Sequence, residues 1–202
     1  MIKGILKDKK NNIIIDATVE LKNDKFETII ETKTDNNGFF TINNDNDFKY
    51  LIAVKDYKIK YLEYWATNIN SNDDIELEII IDTLEIYGLN AFIVNGAYDS
   101  IFLYFRPMNL IKYLNKEHNI CPNIKDIIVK VDNEICNILE TNKVKESIGN
   151  SSLDAYLIQV KKINGLTSNW KKIDIKITDY DNNLGMASIF KKEDNIWDYY
   201  LK

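Results

Sequence analysis

The feature that most constrains this chain is a repeated alternation of apolar and polar residues over short segments. Between residues 17 and 22, Ala17, Val19 and Leu21 alternate with polar neighbours. Successive side chains of a strand point to opposite faces, so a period of two predicts a strand with one solvated face. We predict seven strands in the first part of the chain, at residues 2–7, 17–22, 26–33, 39–42, 50–54, 57–65 and 75–81.

Turn-forming residues separate these segments. The strongest turn is predicted at residues 35–38, because Asn37-Gly38 supplies the positive φ angles that tight hairpins require. Asn and Asp also collect between the other segments, where they favour turns. No stretch of this half shows convincing helical periodicity. Seven short strands separated by turns predict a β-sandwich domain over residues 1–82.

The second half, residues 83–202, continues the strand pattern with one interruption. Pro107 is expected to end a strand at residues 98–105, and Met108, Leu110, Ile111 and Leu114 then predict an amphipathic helix near residues 108–117. Further strands are predicted at residues 84–89, 92–94, 127–131, 135–139, 155–161, 173–178 and 186–190. The predicted fold class is therefore mainly β, with two β-sandwich domains in tandem and one short helix inserted in the second.

Four stretches of the first half also carry a family resemblance. Residues 4–8, 16–21 and 50–54 match in pattern, and residues 34–40 hold the element Thr-Asp-x-x-Gly-x-Phe. On these residues the first 82 positions resemble the carboxypeptidase regulatory-like domain, a transthyretin-like seven-stranded sandwich, although Asp56 stands where a glycine is usual. The resemblance implies an accessory module without catalytic residues. The second half loosely resembles a bacterial immunoglobulin-like sandwich.

Charge and hydropathy narrow the classes of partner. The net charge is -5 and no basic cluster occurs, so a nucleic-acid partner is not expected. The longest apolar runs, such as residues 101–105, are far too short for a membrane span. The first residues do not resemble a signal peptide, so we expect a cytoplasmic location by default, or an extracellular one if a signal lies outside the given sequence. Cys121 and Cys136 are expected to be reduced, although a bridge between them is open from sequence.

Residues with catalytic or metal-binding chemistry are few. His118 is the only histidine and Cys121 follows three residues later, but no third orienting group is evident, so no catalytic site is predicted. Acidic pairs occur at Asp45 and Asp47, at Asp73 and Asp74, and at Asp179 and Asp181. The last pair lacks the glutamate that closes an EF-hand loop, because Phe190 stands at that position. We therefore interpret these loops as solvated turns and predict no metal and no cofactor.

Arg106 is the only arginine among 26 lysine and arginine residues. Its planar fork of five donors is a geometry that lysine does not supply. Because Tyr104 and other aromatic residues precede it, one hypothesis is an anion-binding arginine backed by aromatic faces. The favoured hypothesis is a structural arginine that satisfies carbonyl groups or a carboxylate at the end of a strand or at the domain junction.

Aromatic residues supply the other candidate surface. Tyr61 and Trp65 are predicted to share one face of the strand at residues 57–65, and they would stack on sugars if exposed or pack between domains if buried. Trp197, Tyr199 and Tyr200 are expected to dock on the body or on a partner. We predict a non-catalytic binding or assembly module that acts through protein–protein contacts. The alternative is a carbohydrate-binding accessory protein.

Overall fold

The computed structural model describes residues 1–43, 48–69, 74–94, 98–149, 151–165, 167 and 169–192. The first half of this part forms strands β1 (Ile2–Asp8), β2 (Thr18–Lys22), β3 (Thr28–Lys33), β4 (Phe39–Ile42), β5 (Tyr50–Val54), β6 (Tyr64–Thr67) and β7 (Ile75–Ile81). The second half forms β8 (Leu84–Phe92), β9 (Ile101–Asn109), β10 (Ile124–Val131), β11 (Glu134–Ile148), β12 (Ser151–Lys162), β13 (Lys172–Asp179) and β14 (Leu184–Phe190). Helix α1 (Leu110–Leu114) lies between β9 and β10. The chain is mainly β, as the alternation predicts.

The strands form one small sheet and one long sheet. The small sheet has the order β4-β1-β7, and the long sheet has the order β3-β2-β5-β6-β14-β13-β10-β11-β12-β9-β8. Within the long sheet, β6 pairs in parallel with β14, so that Trp65 lies opposite Ala187. Nearby, the Tyr64 hydroxyl donates to Ser188 Oγ over 2.7 Å. The two halves of the chain are therefore joined by backbone pairing and by buried side-chain contacts.

Two apolar clusters lie on opposite faces of the long sheet. The first cluster draws its buried members from residues 2–81 and the second from residues 84–189. Along β14, Met186 and Phe190 pack against the first cluster, whereas Ala187 and Ile189 belong to the second. Because alternate residues of a strand face opposite sides, the two clusters lie on opposite faces of the sheet. One face of the long sheet is therefore covered where the first cluster packs on it, and the opposite face is covered where the second cluster packs on it. The remaining part of each face is bare.

The long hairpin of β11 and β12 extends beyond the predicted strands. Its pairing runs from Cys136 opposite Lys162 to Ile148 opposite Ser151. Residues 140–143 are exposed on both faces, so this part of the strand has no apolar alternation to reveal it. Pairing with the neighbouring strand, not burial, holds it extended.

The region around Pro107 also differs from the prediction. Strand β9 continues through Pro107 to Asn109, and beyond Phe105 the only described strand that pairs with it is β8. A proline is tolerated where one edge of a strand has no partner. The helix is correspondingly shorter than residues 108–117, and the Asn109 side chain caps it by accepting from the Lys112 amide over 3.1 Å. Only Leu110 of the helix is buried, so packing gives little support to a longer helix.

Candidate functional site

Four residues are candidate ligand-binding residues from the sequence: Tyr61, Trp65, Tyr104 and Arg106. The structure brings Trp65, Tyr104 and Arg106 into one group through Tyr87 and Glu146, and leaves Tyr61 apart from them. Tyr61 is 8% exposed and belongs to the first core cluster. Trp65 is half-buried on the other face of the long sheet, so the prediction that these two residues share a face is wrong. The reason is local, because β6 begins only at Tyr64 and the chain before it turns at Lys58, which has a φ of 59°. The strand alternation therefore does not reach back to Tyr61.

Trp65 is the centre of a group of aromatic rings on the bare part of the sheet. Phe26 stacks on Tyr50 with a centroid distance of 4.7 Å, and both meet the Trp65 ring edge-on at 6.3 and 6.2 Å. On its other side, Trp65 meets Tyr87 at 5.6 Å and 90°. We call Phe26, Tyr50, Trp65 and Tyr87 the aromatic row. It crosses from the first half of the chain to the second.

Local structure explains the position of the outer ring at each end of the aromatic row. Phe26 lies in a turn where the Asn23 side chain accepts from the amides of Lys25 and Glu27, over 2.9 and 3.0 Å. This turn lifts Phe26 above the sheet, and half of its surface is exposed. Tyr87 precedes Gly88, where the register of β8 and β9 shifts, and 37% of its surface is exposed. The aromatic row thus has accessible rings at both ends.

Arg106 continues the aromatic row on the second half of the chain. It lies opposite Tyr87 across β8 and β9, and its guanidinium carbon is 4.8 Å from the centre of the Tyr87 ring. Gly88 permits this approach, because a Cβ atom there would lie 3.0 Å from Arg106 Nη2. Gly88 also has a φ of 64°, which favours glycine.

A single carboxylate oxygen holds Arg106 and Tyr104. Glu146 Oε2 lies 3.2 Å from Arg106 Nη1 and accepts from the Tyr104 hydroxyl over 2.6 Å. Burial, helped by this hydrogen bond, raises the pKa of Tyr104 to about 12. Any anionic ligand of Arg106 would have to compete with Glu146, and binding of a ligand by Tyr104 or Arg106 stays a prediction.

Glu85 is a buried carboxyl group beneath the aromatic row. It is 1% exposed, and its Oε1 accepts from the Trp65 indole over 3.1 Å. Its Oε2 has no hydrogen-bond partner among the described residues. Burial, with the negative charge of Glu63 second, raises the pKa of Glu85 to about 7. Burial likewise raises the pKa of Glu63.

Several members of this site were missed in the sequence. The alternation assigns Phe26 and Tyr87 only to strands, and Glu146 lies beyond the predicted strands. Glu85 had a usable signal, because an acidic residue between Leu84 and Ile86 interrupts an apolar run. A carboxyl group at such a position is either solvated on the other face or buried with a partner.

The other candidate residues form no comparable group. His118 is exposed, and no hydrogen bond joins it to Cys121 in the described part of the chain. Burial raises the pKa of Cys121 to about 11, and both cysteines are unpaired. Among the described residues no group of three possible ligands could hold a metal ion, and no helix is long and apolar enough to cross a membrane. Asp45, Asp47, Asp73, Trp197, Tyr199 and Tyr200 lie outside the described residues.

We expect Arg106→Lys to lower the free energy of unfolding by about 1 kcal/mol. A lysine ammonium cannot lie flat on Tyr87 and reach Glu146 at the same time. The measurement is urea unfolding at neutral pH, with Lys130→Arg as a control at an exposed position. An unchanged midpoint for Arg106→Lys would contradict a structural role and leave only ligand binding.

Comparisons with known proteins give no family. No protein-family model matches the chain, and no protein of curated function matches it. Among solved structures the chain is similar to BcpA, the major pilin subunit of Bacillus cereus, with 14% identity over 93% of this chain and a TM-score of 0.29. The chain spans 66% of that pilin.

Two Bacteroides structures show a likeness of the same kind. A DUF3823 family protein from Bacteroides ovatus is 8% identical over 94% of this chain and 97% of its own, with a TM-score of 0.30. A candidate carbohydrate-binding protein from Bacteroides uniformis is 10% identical over 94% of this chain and 98% of its own, also at 0.30. At these values the similarity is too low to transfer a family or a function.

Proposed function

We propose that this chain is a non-catalytic binding module that holds another protein through the aromatic row. The observation that carries the proposal is the unbroken series of ring contacts from Phe26 to Tyr87, continued by Arg106. Tyrosine, tryptophan, phenylalanine and arginine are the side chains enriched in protein interfaces, where a few of them supply most of the binding energy.

The surroundings of the row support a preorganised surface. Trp65 is fixed by its hydrogen bond to Glu85, and Arg106 is fixed by Glu146 and Tyr87. Side chains that are already ordered lose less conformational entropy when a partner binds. The rings meet Trp65 edge-on at 68°, 78° and 90°, so they form an uneven surface and not a flat one. Such a surface suits protruding side chains better than a flat sugar ring.

The proposal treats the chain as two β-sandwich domains, residues 1–82 and 83–202, the first of the carboxypeptidase regulatory-like kind. The change from one core cluster to the other between Ile81 and Leu84 supports this division. The pairing of β6 with β14 would keep the two domains in a fixed orientation. The aromatic row needs this fixed orientation, because its residues come from both domains.

Site-specific photo-cross-linking in the native cell tests the proposal. A benzophenone amino acid is placed at Phe26, at Tyr87, and at Tyr180 as a control that is 70% exposed and outside the aromatic row. We expect one and the same protein to be cross-linked from Phe26 and from Tyr87, and not from Tyr180. Equal labelling from all three positions would contradict the proposal.

Carbohydrate binding is the second candidate. The stack of Phe26 on Tyr50 favours it, because the exposed face of Phe26 could pack against a sugar ring. A glycan array distinguishes the two functions. Binding of a glycan that disappears in Phe26→Ser and persists in Tyr180→Ser would show that the ligand of the aromatic row is a sugar and not a protein.

A further inference from the structure

A groove of about 960 Å³ lies on the face of the long sheet opposite the aromatic row. It occupies the step where the small sheet ends at β7 and the surface of β14, β13 and β10 begins. Its apolar lining includes Ile128, Met186, Ile135 and Phe39, and the last two are 56% and 53% exposed. A contiguous apolar surface of this kind usually marks a place where a ligand or a partner binds.

The acidic side chains that line the groove are already paired. Each has a lysine partner: Glu76 with Lys3 at 3.8 Å, Glu78 with Lys7 at 2.8 Å, and Asp174 with Lys172 at 3.0 Å. Lys130 and Lys176 also line the groove, and among the described residues neither ammonium group has an ion pair or a hydrogen bond. The groove therefore carries two unpaired positive charges in a chain whose net charge is -5.

Both of these lysines lie close to the wall that β7 forms. The pKa of Glu78 on that strand is lowered chiefly by its hydrogen bond to Lys7, and the charges of Lys130 and Lys176 lower it further. Glu78 is already held by Lys7, so it does not satisfy either of the other two. Their charges are therefore available to an anion that enters the step.

The strand register brings the two lysines together. Lys176 lies between Met186 on β14 and Ile128 on β10, which are its direct cross-strand neighbours. Lys130 follows Ile128 by two residues, so it is on the same face and is the diagonal neighbour of Lys176, about 7 Å away at the base of the side chain. On its other side Lys130 lies opposite Ile135. Two flexible ammonium groups can thus meet one anion that is surrounded by apolar side chains.

We propose that this groove binds a free fatty acid, with its carboxylate between Lys130 and Lys176 and its hydrocarbon chain along the apolar lining. The volume lies within the range of about 300–1,000 Å³ that is typical of small-molecule sites. A carboxylate without a chain would leave the apolar lining uncovered, and a neutral lipid would leave both lysines without an anion. The step between the two sheets suits a single chain better than the flat surface of a bilayer. The site is separate from the aromatic row and does not depend on what the row binds.

Isothermal titration calorimetry of the full chain with decanoate, below its micelle concentration, tests this proposal. We expect one decanoate to bind per chain. Decyltrimethylammonium has the same chain length and the opposite charge, and it is expected to bind about tenfold more weakly. Affinity should rise by about fivefold from octanoate to decanoate and again to dodecanoate, because each step adds two methylene groups. Equal affinity for the two charges, or no binding of decanoate, would overturn the proposal.

Variants assign the binding to the groove. Lys130→Gln combined with Lys176→Gln removes both charges without disturbing the core, because Lys130 is exposed and Lys176 is half-buried. This double variant is expected to bind decanoate about tenfold more weakly than the wild type. Ile135→Ser should weaken binding by about fivefold, since it removes part of the apolar lining. The matched control is Lys25→Gln, at an exposed lysine outside the groove, which should keep full affinity. If the double variant binds as the wild type does, the proposal fails.

Nuclear magnetic resonance reports where decanoate lies. The methyl resonances of Met186 and Ile128 should shift on binding, and those of Ile59, which is 80% exposed and outside the groove, should not. Shifts at the ring resonances of Phe26 and Trp65, with none at Met186, would place the ligand on the aromatic row and overturn the proposal. Formation of a dimer in sedimentation, or binding to phosphatidylglycerol vesicles without binding to decanoate, would assign the groove to a second copy or to a bilayer and would overturn it as well.

Discussion

Glu85→Gln is expected to make the protein more stable at pH 8 and to remove the contribution of Glu85 to the pH dependence of its stability between pH 5 and 8. The carboxyl group is 1% exposed, and burial raises its pKa from 4.5 to about 7. Glutamine keeps an acceptor for the Trp65 indole and carries no charge. The buried charge that forms above pH 7 is therefore absent from the variant.

The sign follows from proton linkage. Between pH 4.5 and about 7 the folded protein binds more protons at Glu85 than the unfolded chain does, so stability falls as pH rises through this window. At about 1.4 kcal/mol for each pH unit, the whole loss is roughly 3 kcal/mol. Below pH 4.5 the group is protonated in both states, and it makes no further contribution to the pH dependence.

Urea unfolding at pH 5 and pH 8 measures this effect in both proteins. We expect the ionisation of Glu85 to lower the free energy of unfolding of the wild type between pH 5 and pH 8. The free energy of unfolding of Glu85→Gln, compared with that of the wild type, should therefore rise by roughly 3 kcal/mol at pH 8. The control is Glu76→Gln, whose side chain is 78% exposed. If Glu85→Gln and the wild type show the same change from pH 5 to pH 8, Glu85 does not carry the raised pKa.

Asp179→Ala is expected to destabilise the protein by about 3 kcal/mol, the largest loss predicted for a single substitution. The Asp179 carboxylate is 2% exposed and accepts from the amides of Asp181 and Asn183 over 3.0 and 2.8 Å. It also accepts from the side-chain amides of Asn109 and Asn183 over 2.9 and 3.0 Å. Alanine would leave these donors without their acceptor, and most of them are buried.

The consequence should extend beyond the turn. Asn183 accepts from the Thr83 hydroxyl over 2.8 Å, and the neighbouring Leu184 amide donates to Asp82 over 2.9 Å. The turn at residues 179–183 therefore holds residues 82–83, which connect the two halves of the chain, through these hydrogen bonds. Thermal unfolding measures the loss, which corresponds to roughly 10 °C in Tm. Asp181→Ala is the control, because that side chain is exposed, and equal losses for the two variants would contradict this account.

The strands with a regular alternation could be predicted closely from sequence. Strands β4, β5 and β7 begin and end at the predicted residues. In β4 and β7 buried and exposed side chains alternate, and β5 is a short apolar run with turn-forming residues on both sides. The ends of β11 and β12 could not be predicted, because their side chains are mostly exposed and pairing alone defines them. The start of β6 was also missed, since the turn before it contains aromatic residues that favour strands.

Only part of the candidate site could be predicted from the sequence. Trp65 and Arg106 stand out as residue types, but their neighbours depend on contacts between distant strands. Trp65 meets Glu85 and Tyr87 because β6 pairs with β14 and β14 packs beside β8. Local patterns predict which face a residue occupies and carry no information about which strands become neighbours.

The affinity of the protein captured by cross-linking at Phe26 is the most direct measure of whether the aromatic row is the binding surface. Each of Phe26→Ser and Tyr87→Ser is expected to weaken binding by about tenfold, because each removes one end of the row. Tyr180→Ser should bind as the wild type does. Full affinity in both row variants, with both proteins folded, would contradict the account.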